Sequence, residues 1–496
     1  MTLTALLFVV MAGSFIGGGL SYKYGVHRDV LFFYYDQPPE TQPEDPKRPV
    51  LVPFSGLPGD RVSPVFRLAY EGEAVVSPSV FDLDGDGRAD VSGHRTETDG
   101  SFEAISLDEL DLPKYRLVFY ADFDSDSSVD ALIISKISYQ EQVTNKDNRP
   151  QLYFGRDGRF ERSEAFDDLQ VVCQAEQPVL ADFNNDGHVD IFLPCYTHVS
   201  SDAHNYLLIN DGNGVFEDRA DQAGVAMPGV PANYRVEGAQ AADISGDGWL
   251  DLYVGSRLFV NNRNLTFSNL REDKGIFHPL FDEGVKFEDV NNDGRLDLVV
   301  YATESGPKVF IGDKAGTFLE HGGAAPRGIG YSFFGMNLYD LNNDGFEDMV
   351  LGKDEGHDTH VLIGRDGSFS LAGETGLVDY HDLKSNSPSF GDFNGDGRID
   401  FARRVMDTKY AGDKWLVQVY LNETPTSNGS FTVELLGKNG ERNQQGRRVS
   451  VRPVSRSDFC HDPNRRRWVG IPEPESIHNT GGNAVQRRTP RRSPLC

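Results

Sequence analysis

An aspartate-rich nonapeptide recurs seven times between short apolar runs, and a chain so built folds as a series of equivalent units. Its fullest copy places Asp82, Asp84, Asp86 and Asp90 at positions 1, 3, 5 and 9. The others give Asp122, Asp124, Asp126 and Asp130; Asp182, Asn184, Asp186 and Asp190; and Asp243, Ser245, Asp247 and Asp251. Asp289, Asn291, Asp293 and Asp297, then Asp340, Asn342, Asp344 and Asp348, then Asp392, Asn394, Asp396 and Asp400 complete the set. Position 6 is glycine in every copy except the second, where Ser127 stands.

Alternate oxygen-bearing residues in a tight loop can converge on one hard cation. Calcium takes six to eight oxygens at ~2.3–2.6 Å. Position 7 adds a backbone carbonyl, as at Arg88, His188, Arg295 and Arg398, so its side chain is free to vary. Glycine at position 6 supplies the positive φ of the sharp turn. Asp, Asn and Gly are also ordinary turn formers, but that does not explain four oxygen positions repeated in register. The expectation is up to seven structural calcium ions, with the second loop the weakest because Ser127 replaces glycine. An EF-hand is excluded, since its bidentate glutamate at position 12 is replaced by Gly93, Ile133, Leu193, Val254, Val300, Leu351 and Arg403.

Five of the loops, the second to the sixth, are followed by a short apolar run rich in β-branched residues, such as Ala131-Leu-Ile-Ile134 or Leu298-Val-Val300, which predicts a buried strand. Between loops recurs a second element: an apolar strand, a Gly- or Asn-rich turn, and an aromatic opening another strand. Examples are Tyr206 to Phe216, Val309 to Phe318 and Val361 to Phe369. The loops start 40, 60, 61, 46, 51 and 52 residues apart, a spacing that suits a four-stranded propeller blade.

These loops and hairpins resemble the FG-GAP/VCBS repeats of integrin α-chain propellers and of the cartilage acidic protein family. The resemblance implies an all-β fold, a seven-bladed β-propeller over residues 65–425 with calcium in its loops. Residues 430–457, from Ser430-Phe-Thr-Val433 through Gly446-Arg-Arg-Val449, resemble the opening of an ASPIC/UnbV module. The basic tail, 458–496, departs from that pattern. Two readings stand: a disordered tail, or a frameshifted remnant, because Arg465 to His478 back-translates in a shifted frame to a sequence typical of that module. Resequencing the coding DNA separates them.

Net charge is −28, and the seven loops contribute 23 of the 76 acidic residues at ligand positions. Seven divalent ions would bring the charge to −14, and an acidic chain argues against nucleic-acid binding. Residues 1–22 read as an N-terminal signal anchor around the apolar Leu3 to Leu20, with no clear cleavage site. Residues 23–64, proline-rich toward their end, read as a linker. Lys23 and Arg28 would hold the near side of the anchor in the cytoplasm, yet weak calcium loops suit the outside of the cell. The expectation is therefore an exported, membrane-tethered propeller. Cys173 and Cys195 flank the third loop and read equally as a disulfide or as buried free thiols. Asn264, Asn422 and Asn428 fit the glycosylation sequon.

No nucleophile elbow, phosphate loop or zinc motif is present in the sequence. The expected function is a non-enzymatic adhesion or ligand-binding module for an extracellular protein or glycan. The alternative is a polysaccharide lyase or hydrolase on a calcium-stabilised propeller.

Overall fold

A computed structural model describes residues 31–34, 62–73, 80–81, 89–91, 94–96, 101–104, 117–126, 128–134, 139–156, 159–175, 178–196, 200, 202–227, 239–255, 257–270, 274–276, 284–302, 306–326, 336–351, 359–377, 384–385, 388–407, 414–426, 450–453, 459–462 and 467–470. The chain divides into two units, residues 1–25 with 37–448 and residues 26–36 with 449–496.

In the large unit six of the seven expected repeats fold as a four-stranded antiparallel sheet. The third is representative: Val179–Ala181, Asp190–Leu193, Tyr206–Asn210 and Phe216–Asp218 pair in chain order. The aspartate loop joins its first and second strands, and the Gly-containing turn joins its third and fourth. Five further sheets repeat this order, beginning at Val80–Phe81, Leu117–Ala121, Ala239–Ala242, Gly284–Glu288 and Met336–Tyr339.

The structure therefore has six four-stranded blades, which corrects the expectation of seven. The seventh aspartate loop lies in a five-stranded sheet of different construction. There Asp400–Asp407 pairs with Lys414–Asn422, and both Lys384–Ser385 and Ser389–Gly391 lie along its other edge. Among the described residues no strand after Lys414–Asn422 joins this sheet to take the place beside it. Phe66–Glu73, from before the first blade, takes that place with a bulge between Leu68 and Tyr70. Pairing the two ends of the repeat region removes an exposed sheet edge.

The core lies between sheets, where each presents one apolar face to the next. The hairpin aromatic reaches the residue at loop position 2 of the preceding sheet. Phe216 meets Phe123 at 6.1 Å, Phe267 meets Phe183 at 6.4 Å, and Phe102 meets Phe393 at 6.0 Å, all edge to face. The last pair joins the first blade to the five-stranded sheet, as does the cluster of Val80, Val91, Phe393, Ala402, Val417 and Val419.

Cys173 and Cys195 form a disulfide. The Gln142 side chain, from the short helix Tyr139–Thr144, brackets Cys173 by accepting from its N–H and donating to its carbonyl, at 3.0 and 3.1 Å. Among the described residues no helix is long and apolar enough to cross a membrane. The Leu3 to Leu20 segment lies outside them, as does almost all of the ASPIC/UnbV-like stretch. In the small unit Leu31–Tyr34 pairs with Ser450–Pro453, and Phe459–Asp462 pairs with Arg467–Gly470.

Candidate metal centre

Loop geometry follows from two left-handed residues. Position 4 is left-handed in every described loop, at Ser125, Asn185, Gly246, Asn292, Asn343 and Gly395, with φ between 56° and 72°. Position 6 follows at Gly187, Gly248, Gly294, Gly345 and Gly397, with φ between 83° and 99°. The position-6 requirement was legible in the sequence. Position 4 was missed, although Gly85, Ser125, Asn185, Gly246, Asn292, Asn343 and Gly395 carry its signal: glycine, or residues whose short polar side chains tolerate that region.

With the backbone so coiled, N–H groups turn inward onto the acids. In loops three to seven the position-1 carboxylate, Asp182, Asp243, Asp289, Asp340 or Asp392, accepts from the N–H groups of positions 5 and 6 at 2.7–3.1 Å. The position-5 carboxylate, at Asp186, Asp247, Asp293, Asp344 and Asp396, accepts from the N–H of position 7. Asn184, Asn291, Asn342 and Asn394 at position 3 accept from the N–H of position 5. In the fourth loop the Ser245 N–H instead donates to Asp251.

Position 9 is a buried hub. One oxygen of Asp130, Asp190, Asp251, Asp348 and Asp400 accepts from the position-2 N–H. The other accepts from the hairpin of the same sheet: Gly155, Asn210, Asn261, Gly364 and Asn422 respectively. Asp297 in the fifth loop accepts the hairpin N–H of Gly312, and its fully buried Oδ2 has no partner at hydrogen-bond geometry, the Asn291 N–H being close enough only to favour its charge. In the first loop Asp90 is buried and accepts from the Thr96 N–H, whereas Asp82, Asp84, Asp86 and Arg88 lie outside the described residues.

The hairpin asparagines were not singled out by sequence. Asn210 donates to the carbonyls of Phe123 and Val189, Asn261 to those of Phe183 and Leu250, and Asn422 to those of Leu341 and Ile399. Each thereby ties its own aspartate loop to the preceding one. The Asn422 amide is fully buried and committed to these bonds, so the folded protein does not offer that sequon for glycosylation. Asn264 is exposed, and Asn428 lies outside the described residues.

Among the described loops the second, expected to be the weakest, brings its acids closest together. Carboxylate oxygens of Asp122, Asp124 and Asp130 lie within 4.8 Å of one another. It differs from the third to seventh loops in having Asp124 at position 3, where they carry Asn or Ser. Asp124 Oδ1 is buried with no hydrogen-bond partner, and Ser128 N–H caps Asp126 at 2.7 Å. His188 turns its ring away to the neighbouring loop, with Nδ1 2.9 Å from Ser125 Oγ. Arg295 and Arg398 fold back onto Asp293 and Asp396, so only their carbonyls remain as position-7 donors.

Burial dominates the electrostatics. It pushes the Asp130 carboxyl up to about 8, opposed by the Gly155 and Phe123 N–H bonds and reinforced by the charges of Asp124 and Asp122. Asp251 and Asp297 rise to about 7, again through burial first. Asp190, Asp340, Asp348 and Asp400 are held well above the usual carboxylate range for the same reason. Such a cluster favours either protons or a counter-cation. Calcium fits the donor set: carboxylates, amides and carbonyls are hard oxygen ligands, and an oxygen holding one N–H bond retains a lone pair for a metal.

A family model described as FG-GAP-like repeat matches residues 122–193, 195–254, 289–351 and 340–402, which include six of the seven aspartate loops. No curated protein matches the chain. Among solved structures it is similar to BBS1N in complex with ARL6DN, at 11% identity over 74% of this chain and 99% of that one, with a TM-score of 0.41. It is similar also to SapL1 lectin in complex with alpha methyl fucoside, at 11% identity over 61% and 96% of the two chains, with a TM-score of 0.31. The Dos1 propeller gives 10% identity over 76% and 90%, with a TM-score of 0.32.

Proposed function

We propose that this chain, a β-propeller carrying FG-GAP-like repeats, is a non-enzymatic ligand-binding module outside the cytoplasm, with structural calcium in its aspartate loops. The observation that carries the metal reading is the second loop, where three carboxylates converge and a buried oxygen of Asp124 has no protein partner. Asp297 Oδ2 in the fifth loop makes the same demand. When bound, calcium supplies charge neutralisation at these buried acids. Asp122, Asp124, Asp126 and Asp130 would hold it in the second loop, and the equivalent residues in the others. The chain's own N–H groups orient the carboxylates, while the position-9 aspartate fixes loop to hairpin.

Export is supported by the Cys173–Cys195 disulfide, since such bonds persist in oxidising compartments. The N-terminal segment would then act as tether. Ligand choice lies in the variable connections between strands, because the repeats themselves are committed to the fold. A protein or glycan ligand suits a ring of blades that presents many such connections together.

Thermal melting with calcium and with EGTA tests the metal. At free calcium ten times Kd each occupied site stabilises the native state by about 1.4 kcal/mol, so the transition rises with concentration. Asp186→Ala should lower calcium stoichiometry by one and destabilise the third blade. Identical melting after chelation, with no retained metal by elemental analysis, removes the metal from the reading. Turnover in a screen of acidic polysaccharides would replace the binding module with an enzyme.

A further inference from the structure

The hairpin of the second blade carries an arginine where it meets the aspartate loop. Gly155 donates its N–H to Asp130 at 2.8 Å, and the next residue, Arg156, turns its guanidinium back over the loop. Nη1 reaches Asp126 Oδ2 at 2.8 Å, while Nη2 bonds Asp124 Oδ2. The guanidinium thus spans positions 3 and 5, two of the four acids expected to hold the ion. Arginines elsewhere meet one loop acid each: Arg263 with Asp247, Arg295 with Asp293 and Arg398 with Asp396. The second loop is also the described loop with aspartate at all four ligand positions, and so it most needs a counter-charge. The Asp124 side chain is only 10% exposed, and its Oδ1 is left without a partner even with Arg156 in place.

We infer that Arg156 is an intramolecular competitor for the cation of the second loop. Without calcium its planar fork neutralises Asp124 and Asp126 and pins the loop to the hairpin. It cannot reach the remaining need at Asp124 Oδ1. A divalent ion placed among Asp122, Asp124 and Asp130 satisfies that oxygen and displaces the guanidinium toward solvent. The second loop therefore fills at higher calcium than its four carboxylates alone would dictate, and its occupancy sets whether Arg156 is held or released. This rests on the calcium reading above and adds its regulation.

Calcium titration calorimetry on the full chain tests it with Arg156→Gln, Arg156→Lys and the control Arg162→Gln, whose parent residue pairs with Asp167 away from the loop. Arg156→Gln should keep the stoichiometry and tighten one site by roughly three- to tenfold. Arg156→Lys, a compact ammonium that cannot bridge two carboxylates, should tighten it less, and Arg162→Gln should match the wild type. A second readout is melting: calcium-free Arg156→Gln should unfold below wild type, and the two should coincide in saturating calcium. Should Arg156→Gln not fold, Arg156→Lys carries both measurements. Unchanged or weaker affinity, or equal destabilisation with and without calcium, overturns the competitor while leaving the metal in place. Absence of calcium binding in both wild type and Arg156→Gln removes the metal reading, and the competitor falls with it.

Discussion

Gly364 shows how narrowly single positions are specified. A Cβ there would stand 1.8 Å from the Glu347 carbonyl oxygen, which belongs to the aspartate loop of the same blade. Gly155 and Gly312 face the carbonyls of Val129 and Leu296 in the same way, at 2.2 and 2.1 Å. Where the third and fourth blades and the five-stranded sheet carry asparagine at this place, its side chain links adjacent loops. Gly364→Ala should cost roughly 1–3 kcal/mol or more, because backbone must move to admit the methyl group; urea unfolding measures it, and an unchanged midpoint would refute the fit. His204 makes a pH prediction. Asp218, with its Oδ2 3.7 Å from His204 Nε2, holds the imidazole above its ordinary value of 6.5, against a smaller opposing effect of burial. The native state therefore favours the charged ring, so its stabilisation is complete below about 6.5 and is lost as pH rises through the raised value. Both groups are partly solvated, which limits the effect to about 0.5 kcal/mol. His204→Gln should flatten that part of the stability–pH curve.

Elements couple through their loops. Asn185, at position 4 of the third loop, donates to the Gly248 carbonyl of the fourth at 3.0 Å. Asn292 does the same from the fifth loop to Gly345 of the sixth, at 2.8 Å. Each asparagine serves twice: its backbone adopts the left-handed turn and its amide ties the turn to the next sheet. Asn292→Ala should cost about 1–2 kcal/mol for the left-handed backbone alone, plus the lost bond to Gly345. Asn292→Gly removes only the bond and relieves the backbone, so it should be milder; chemical denaturation of the pair separates the two contributions. Equal losses in both variants would mean that the backbone term is absent. The sequence made these loops visible as metal candidates through their acids, but an inter-loop amide bond carries no periodic signature.

For the whole molecule, closure depends on one strand from far upstream. Phe66–Glu73 covers the edge of Lys414–Asn422, and the junction is fastened by Val65 N–H to Thr424 Oγ1 at 2.9 Å and Glu423 N–H to the Val65 carbonyl at 2.8 Å. Phe66 N–H also donates to the Thr375 carbonyl, beyond the sixth blade's last strand, at 2.7 Å. Deleting residues through 73 should expose a nine-residue strand edge, lower the melting temperature and promote association. Scattering and calorimetry would show it, and a peptide spanning 62–74 supplied in trans should restore the transition. A truncated chain that melts like the intact one would show that closure contributes nothing to stability.

Local repetition determined a great deal. Oxygen side chains at alternate positions, glycine at position 6 of six loops and apolar runs after five of them act over a few residues, so they specify loop, strand and hairpin wherever they recur. The all-β class and the four-stranded blade follow from them. Tertiary structure decided what depends on partners distant in the chain. Six complete blades plus a five-stranded sheet arise because the last repeat pairs its edge strand with one from upstream of the first. The Cys173–Cys195 pairing, the buried asparagines and the reach of Arg156 over its loop likewise require two segments to meet in space. Repeat spacing reports how often a unit is written, whereas ring closure depends on which edge remains unpaired when the units pack.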